Sequence, residues 1–416
     1  MWDAGGRVVI MRGSAFAAVL TVLVLATSML VVPGLNATQS AKGADVAEWR
    51  YLVYLVADNN LDVSAGQFHV PVVEDDFEEL MSVESSTLVQ CYVFVDRFEG
   101  PANLFKFTKD NMEEITDFEL NGEEVNMGSA TTLRAFIEYV YTAAPAERTV
   151  LMFWDHGSWD YAAWDDNGPE PGVGDALTHY EVMEALDGYK VDVVGYDECL
   201  VGQMETVYEY AVNGFSADYL MVSETYTGWR GYPYDQTLAA LVENPYMDSR
   251  ECAMMFIEQV DMLLKQRPYM SEIVNCHAAV DLSKVRALAE SVGSFAKLLT
   301  PDVGTYVKDI SRARGVAGFT WGANAINVAD LWTFVTTIDR FVADEEISDA
   351  CQQVLRAFDE AVIALQVSHA MDHQVHGLGI SFAFHEREVP DYYAEYSFDD
   401  GGWLEFLEAF WTACGV

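Results

Sequence analysis

The sequence predicts an α/β protein with a largely parallel central sheet flanked by helices. From about residue 50, short apolar runs of strand length alternate with segments of helical periodicity, which is typical of such a sheet. The 416-residue chain is 51% hydrophobic, so it can bury a large core. The predicted strands are 51–57, 88–96, 150–154, 191–196 and 219–223, with helices at 131–143, 179–186 and 201–212.

Beyond residue 223 the pattern becomes mostly helical. Periodic apolar positions predict helices, and two apolar runs interrupt them. We therefore divide the chain into an export segment and linker over 1–45, a sheet-containing domain over 46–245, and a helix-rich C-terminal portion over 246–416 that packs on it. The helices expected after residue 223 are 250–265, 284–299, 331–343 and 348–369, and the apolar runs are 273–280 and 379–383.

The charge balance excludes one class of partner. The chain has 66 acidic and 23 basic residues, a formal net charge of −43. A surface of this kind repels phosphate backbones, so we expect no nucleic-acid binding, whereas it attracts cations. We interpret most of these charges as a solvated acidic shell. The sequence indicates no oligomeric state.

The N-terminal segment has the pattern of an export signal. Arg7 and Arg12 precede an uncharged run from Ser14 to Val32, and Pro33 and Gly34 follow it. The run is 19 residues long, which is also enough to span a bilayer, so an uncleaved membrane anchor is the alternative. In either case we expect the rest of the chain to be secreted or extracellular, touching a membrane only through this segment.

The cysteines predict neither a zinc site nor a disulfide framework. They are widely separated, with no CxxC pair and no zinc-like spacing. A chain of this length has no need of disulfides to fold, although export would permit them. The six cysteines are Cys91, Cys199, Cys252, Cys276, Cys351 and Cys414.

Two predicted strands end in turns that carry reactive side chains. His156 follows the strand 150–154, and Cys199 follows the strand 191–196. Ligands of open parallel sheets bind beyond the carboxyl ends of the strands, so the two side chains would share one edge if these strands are neighbours. An imidazole that manages the proton of a thiol makes cysteine a nucleophile. The backbone N–H groups near Gly157 and Cys199 are the expected donors to an oxyanion.

Residue types alone leave structural interpretations open. A single cysteine at a strand end is more often a small buried apolar residue than a nucleophile. A histidine beside an aspartate is usually hydrogen-bonded for structural reasons. The pair His156 and Cys199 is therefore suggestive of catalysis without establishing it.

Six segments resemble the clostripain-like cysteine peptidases, a family grouped with caspases, legumains and gingipains. Residues 151–158 (LMFWDHGS) resemble the histidine motif of the family, and residues 197–205 (DECLVGQME) resemble its cysteine motif. The resemblance covers roughly residues 50 to 410, with the segments in the expected order. The other four similar segments are 54–61 (YLVADNNL), 126–133 (NMGSATTL), 223–234 (SETYTGWRGYPY) and 377–382 (GLGISF).

The resemblance implies a caspase-like sandwich in which the sheet-containing domain is catalytic. It implies a cysteine endopeptidase that acts on polypeptide substrates, with His156 as the catalytic histidine and Cys199 as the nucleophile. Family members cleave after Arg or Lys and use an acid two positions before the cysteine, where this chain has Asp197. The resemblance also places Ser223 and Glu224 in the substrate-binding loop.

Asp197 has two interpretations. Residues i and i+2 of an extended strand share a face, so Asp197 would point toward the site while Glu198 points away. A buried carboxylate there would bind a guanidinium or ammonium group through charge-assisted hydrogen bonds. Alternatively, Asp197 caps the helix that follows.

One departure from the family pattern supports a second function. The position before the family's cysteine is usually occupied by a small residue, whereas this chain has Glu198. A carboxylate that faces the site would raise the pKa of the Cys199 thiol and disfavour its reactive form. The alternative to a peptidase is therefore a catalytically silent exported binding protein with the same fold.

We expect the chemistry to require no cofactor, and calcium is the one ion that the resemblance suggests. The acidic loop 160–175 offers oxygen ligands but lacks the spacing of an EF-hand, so solvated acidity explains it nearly as well. His369, His373 and His376 would share one face of a helix at metal-like spacing. We consider a metal-dependent hydrolase built on them a weaker alternative, because no HExxH motif is present.

Overall fold

A nine-stranded sheet organises the chain in the computed structural model. The structure describes residues 46–62, 72–228, 230–266, 275–319, 327–369, 375–383, 385, 389, 393 and 396–416. The strands of the large sheet are β1 (Ala47–Ala57), β2 (Val89–Arg97), β3 (Asn103–Thr108), β4 (Asn111–Glu114), β5 (Ala146–Trp154), β8 (Val193–Asp197), β9 (Tyr219–Ser223), β10 (Cys276–Asp281) and β13 (Val362–Val367).

The middle of this sheet is parallel and its edges are antiparallel. The spatial order is β13-β10-β9-β8-β5-β1-β2-β3-β4. The five strands from β9 to β2 run parallel to one another, and the outer strands pair antiparallel on both sides. Two smaller sheets complete the strands: β6 (Tyr161–Glu170) with β7 (Val173–Thr178), and β11 (Gly318–Phe319) with β12 (Val328–Asp330) and β14 (Gly379–Ser381).

Helices cover both faces of the large sheet and form two apolar cores with it. One face packs against α1 (Val72–Ser82), α5 (Tyr234–Glu243) and α6 (Ser249–Gln266). The core on the other face contains residues of α2 (Ala130–Ala143), α3 (His179–Ala185), α4 (Met204–Val212), α7 (Leu282–Leu299), α8 (Val303–Ala317), α9 (Leu331–Phe341), α10 (Glu345–Ala361) and α11 (Trp403–Cys414).

The central strands are buried on both faces, which explains their nearly continuous apolar sequences. Along β5, Leu151 and Phe153 enter one core, while Met152 and Trp154 enter the other. Phe153 stacks on Tyr196 of β8, with ring centroids 5.2 Å apart. Such a strand has no solvent-facing side, so its pairing register is strongly specified.

The predicted α/β class with a largely parallel sheet between helices is confirmed. One helix prediction is wrong in part: the segment 348–369 is helical only as far as Ala361, and β13 follows directly. The residues of β13 include the β-branched Val362, Ile363 and Val367, and they pair with β10 at the edge of the sheet.

The division near residue 245 stays a prediction, but strands of the same large sheet lie on both sides of it. Both β10 and β13 lie beyond it and extend the sheet next to β9. Residues 46–416 form one compact unit, whereas the segment 1–45 lies outside the described residues. Within the described ranges, none of the helices is long and apolar enough to cross a membrane.

Buried carboxyl groups gather where β1 and β2 end, next to the middle of β6. Asp58, Asp96 and Asp165 are each at most 1% exposed, and within the described part of the chain neither carboxyl oxygen of Asp96 has a hydrogen-bond partner. Burial is the main cause that raises the pKa of Asp58 to about 6, of Asp165 to about 7 and of Asp96 to about 9. The negative charge of Glu124 adds to each shift.

Because of these buried carboxyls, we expect the free energy of unfolding to be lower in mildly alkaline than in mildly acidic solution. Unfolded carboxyls ionise near pH 4, whereas these folded ones stay protonated until pH passes their raised pKa values of about 6 to 9. The stability that the protonated groups contribute is therefore lost progressively between about pH 4 and pH 9. Asp96→Asn should raise the free energy of unfolding by about 1–2 kcal/mol more at pH 8 than at pH 5. Urea unfolding in chelating buffer at both pH values measures this. The exposed Glu99→Gln is the matched control, and equal effects of Asp96→Asn at the two pH values would contradict the prediction.

Candidate active site

Parallel pairing brings the two predicted catalytic side chains to one edge of the sheet. β5 lies next to β8, and Trp154 is the register partner of Asp197. His156 and Cys199 each follow two residues later, so both leave the sheet at the same level. Their chain segments touch, because a Cβ on Gly157 would lie 3.0 Å from the Cys199 carbonyl oxygen.

The loop after β1 supports the histidine. His156 Nε2 lies 3.0 Å from Asn60 Oδ1, and the Asn59 side chain donates to Asp155 Oδ1 at 2.7 Å. An amide oxygen only accepts, so the Asn60 contact assigns the imidazole proton to Nε2 and leaves Nδ1 as the acceptor. Burial lowers the pKa of His156, which favours the neutral ring.

The thiol of Cys199 is held by the loop after β9. The Thr227 N–H donates to Sγ at 3.2 Å, and the Thr227 hydroxyl donates to the Glu198 carbonyl oxygen at 2.8 Å. Burial raises the pKa of Cys199 to about 11, and the charges of Glu198 and Asp197 act in the same direction. Among the described residues, no hydrogen bond joins Cys199 to His156 directly. The resting pair is therefore a thiol and a neutral imidazole.

The chain turns sharply immediately after the nucleophile. Leu200 has a φ of 64°, the left-handed region that a leucine rarely occupies, and its N–H donates to the Thr225 carbonyl. Helix α4 begins only at Met204, so the helix prediction of 201–212 started too early. Cys199 is consequently outside the first turn of that helix, so the helix dipole does not stabilise its thiolate.

Gly157 is a glycine because Glu198 occupies the space next to it. A Cβ at position 157 would lie 2.6 Å from Glu198 Oε2 and 2.7 Å from Glu198 Cβ. Glu198 is 1% exposed, its carboxyl oxygens have no hydrogen-bond partner among the described residues, and burial raises its pKa well above the usual range. Glu198, the departure from the family pattern, is therefore packed against the turn that contains His156 and Gly157, where burial favours its neutral form.

Two backbone donors at this edge are unoccupied. In the part of the chain that the structure describes, neither the Gly157 N–H nor the Cys199 N–H donates a hydrogen bond. Both residues belong to the turns that follow β5 and β8, at the edge of the sheet where ligands of parallel sheets bind. These are the two donors that the sequence suggested for an oxyanion.

Asp197 points to the opposite side of the sheet from Glu198. Its carboxylate accepts from the Tyr232 N–H at 2.9 Å and from the Tyr234 hydroxyl at 3.2 Å. Burial raises its pKa to about 7. The capping interpretation is excluded, because the N-cap position of α4 belongs to Gln203 and lies six residues further on. The side chain is thus free of any role in the following helix.

Ser223 and Glu224 lie at the end of β9 with their side chains turned inward. The Ser223 hydroxyl donates to the Thr225 carbonyl oxygen at 3.0 Å, and Glu224 Oε2 accepts from the Gly377 N–H at 2.8 Å. Both residues are fully buried. Their contacts are structural, and their assignment to the substrate-binding loop stays a prediction.

The structure does not define a metal centre. The loop 160–175 forms the hairpin of β6 and β7, in which Asp165 accepts from the Met127 and Asn167 N–H groups. Within the described ranges, no three His, Cys, Asp or Glu side chains are grouped so as to hold a metal ion. His376 Nδ1 contacts Asp330 at 2.9 Å, His369 is exposed, and His373 lies outside the described residues.

A substitution at the contact between the two turns tests this packing. Gly157→Ala should lower the free energy of unfolding by about 1–3 kcal/mol, because the new methyl group overlaps Glu198. Chemical denaturation measures the change. Gly304→Ala in α8 is the matched control, since a methyl group there meets nothing within 4 Å and should stabilise the helix. Equal effects of the two substitutions would contradict the packing described here.

Comparison with known proteins identifies the family. The family model described as the clostripain family matches residues 53–395. Clostripain from Hathewaya histolytica is 32% identical over 127 residues, which are 27% of this chain and 24% of that protein. The alignment thus spans about a quarter of that relative's length.

Solved structures share the fold. One is a secreted C11 cysteine protease from Bacteroides thetaiotaomicron in complex with an irreversible peptide inhibitor, with 18% identity, a TM-score of 0.64, and coverage of 85% of this chain and 98% of that chain. Another is an inactive zymogen C11 protease from Parabacteroides distasonis, with 17% identity, a TM-score of 0.62, and coverage of 86% and 98%. The caspase-like fold prediction is confirmed, and the family model matches most of the sequence. The chain belongs to the clostripain family.

Proposed function

We propose that this protein is a cysteine endopeptidase that hydrolyses peptide bonds of polypeptide substrates through Cys199 and His156. The observation that carries the proposal is the pairing of β5 with β8, whose adjacent carboxyl ends lead into the turns that contain His156 and Cys199. Family membership supports the same chemistry.

In the proposed mechanism the thiol is deprotonated as it attacks. The raised pKa of Cys199, about 11, leaves little thiolate at neutral pH. His156 Nδ1 accepts the thiol proton while Sγ bonds to the scissile carbonyl carbon, and the resulting imidazolium then protonates the leaving amine. Water hydrolyses the thioester with His156 as base, which regenerates the thiol.

The oxyanion of each tetrahedral intermediate would be bound by the two unoccupied backbone donors. The N–H groups of Gly157 and Cys199 donate to no described residue, so no internal hydrogen bond must break when the oxyanion forms. Fixed donors that await the developing charge are the usual source of stabilisation in acyl transfer.

We propose that Asp197 binds a basic side chain at P1, the residue before the scissile bond. Its carboxylate is 6% exposed and lies two residues from Cys199. A desolvated carboxylate gains more from a cation than an exposed one does, because the local dielectric is low. Arg and Lys are the residues that provide that cation.

The proposed reaction needs no metal or other cofactor. We place calcium only as an ion that stabilises the acidic protein, whose formal net charge is −43. The enzyme would act outside the cell, exported by the segment Ser14 to Val32 and either released or anchored by it. That segment lies outside the described residues.

A catalytically silent binding protein is the second candidate. The observation in its favour is Glu198, a buried acid next to a thiol whose pKa is already raised. A silent protein would keep the fold and leave Cys199 unreactive toward peptide-based thiol probes.

The peptidase is tested by hydrolysis of fluorogenic peptides ending in Arg, Lys, Asn or Asp. Cys199→Ala should lower kcat/KM by about 10³-fold or more, because no other group replaces the nucleophile. The matched control is Cys414→Ala, which removes an exposed thiol near the C-terminus and should leave the rate unchanged. A strong chelator should also leave the rate of the wild type unchanged. A folded wild type that cleaves no peptide would favour the silent binding protein.

The pocket assignment is tested by Asp197→Asn. We expect kcat/KM for Arg and Lys peptides to fall about 100-fold, with a smaller change for an isosteric norleucine peptide. In the wild type, the preference for basic peptides over norleucine should rise with pH through about 7, because the carboxylate binds the cation and its pKa is raised to about 7. A preference that is unaltered in Asp197→Asn would remove Asp197 from the pocket and leave the peptidase intact.

A further inference from the structure

A second buried carboxyl group lies close to Asp197 and comes from a different element. Asp76 is on α1, faces the sheet and is 4% exposed. Burial raises its pKa well above the usual range, and the charge of Asp197 is the largest electrostatic contribution to that shift. No pattern in the sequence associates these two residues, which are 121 positions apart.

Two aromatic side chains fix the carboxyls in relation to each other. The Trp154 indole N–H donates to Asp76 Oδ2 at 2.8 Å, and Trp154 is the register partner of Asp197 on the neighbouring strand. The Tyr234 hydroxyl donates to Asp197 Oδ2 at 3.2 Å, and burial, followed by the charges of both carboxyls, raises the pKa of Tyr234. The four side chains therefore form one polar group beneath the nucleophile's strand.

This group has no cation of its own among the described residues. Neither Asp76 nor Asp197 forms an ion pair there, and Arg230 of the adjacent loop pairs with Asp75 instead, at 3.6 Å. Two buried carboxyls without a counterion disfavour each other's ionisation, so their arrangement favours a bound cation. The position of Asp197 before the nucleophile indicates where such a cation would come from.

We propose that Asp76 is the second carboxylate of the P1 pocket and that it selects arginine over lysine. The planar guanidinium carries five N–H donors on two edges, and two carboxylates from different directions bind both edges. The lysine ammonium is a strongly hydrated point charge, and one carboxylate is enough for it. This inference rests on the proposed function, because it extends the pocket that Asp197 begins.

Asp76→Asn is the direct test. Asparagine keeps an oxygen for the Trp154 N–H and removes the charge, so the fold should be retained, which the melting temperature checks. We expect kcat/KM for an Arg peptide to fall about 10- to 100-fold, chiefly through KM, and for the matching Lys peptide about threefold or less. Glu78→Gln removes a charge from the exposed face of the same helix and should change neither value. Asp76→Glu should restore part of the Arg preference.

A second measurement uses the wild type and does not depend on any variant folding. Arginine amide and lysine amide are compared for protection of Cys199 against alkylation, read by mass spectrometry of the labelled peptide. Arginine amide should protect at a concentration about tenfold lower. Equal protection by both amides would overturn the role of Asp76.

The outcomes separate this inference from the proposed function. If Asp197→Asn abolishes the preference for basic residues while Asp76→Asn keeps the wild-type Arg to Lys ratio, the pocket stands and Asp76 is only a structural acid. If neither variant alters any P1 preference of an active enzyme, the pocket assignment itself fails. If Asp76→Asn reduces Arg and Lys cleavage equally, Asp76 contributes charge without selecting arginine, and the proposal is overturned.

Discussion

The pairing of β5 with β8 in the middle of the sheet is the interaction on which the rest of the site depends. Both strands are buried on both faces, so a slip of one residue would exchange the contents of the two cores. The register sets Trp154 opposite Asp197, and with it the levels at which His156 and Cys199 leave the sheet. It also directs Glu198 toward Gly157, where only a glycine leaves enough room. Catalytic geometry and core packing are thus consequences of the same hydrogen-bond ladder.

The strands end in a region where acids are buried and basic partners are scarce. Desolvation favours the uncharged form of every group here. It raises the pKa of the carboxyls and of the thiol, and it lowers the pKa of His156. The resulting site holds little charge before a ligand arrives. A cationic side chain bound next to Asp197 would oppose the effect of desolvation there, because its charge favours the ionised form of Asp197. An acidic surface with a net charge of −43 would draw such ligands toward it, although salt screens that attraction.

The sequence identified the features that local patterns encode. The apolar runs located β1, β2, β5, β8 and β9 to within a few residues, and the turns after two of them contained His156 and Cys199. Contacts between distant segments had no such signal: Asn60 beside His156, Thr227 beside Cys199 and Asp76 near Asp197 become neighbours only through the strand order. Asn60 belongs to a segment that family resemblance had marked, but its contact could not be read from spacing. The strand β13 was mistaken for helix because a short apolar run after a long helix continues its periodicity.

Glu198 is the residue at which the sequence and the structure lead to different expectations. A charged carboxylate next to Cys199 would oppose formation of a thiolate, which made a silent protein plausible. The structure buries Glu198 against Gly157, and among the described residues its carboxyl has no hydrogen-bond partner. Burial raises its pKa well above the usual range and so favours the neutral form, in which the side chain acts chiefly as a spacer between the two turns. A neutral spacer leaves the thiol to be activated by His156 at the moment of attack, rather than by a thiolate formed beforehand. The raised pKa of Cys199 is therefore compatible with catalysis, provided that proton transfer and bond formation occur together.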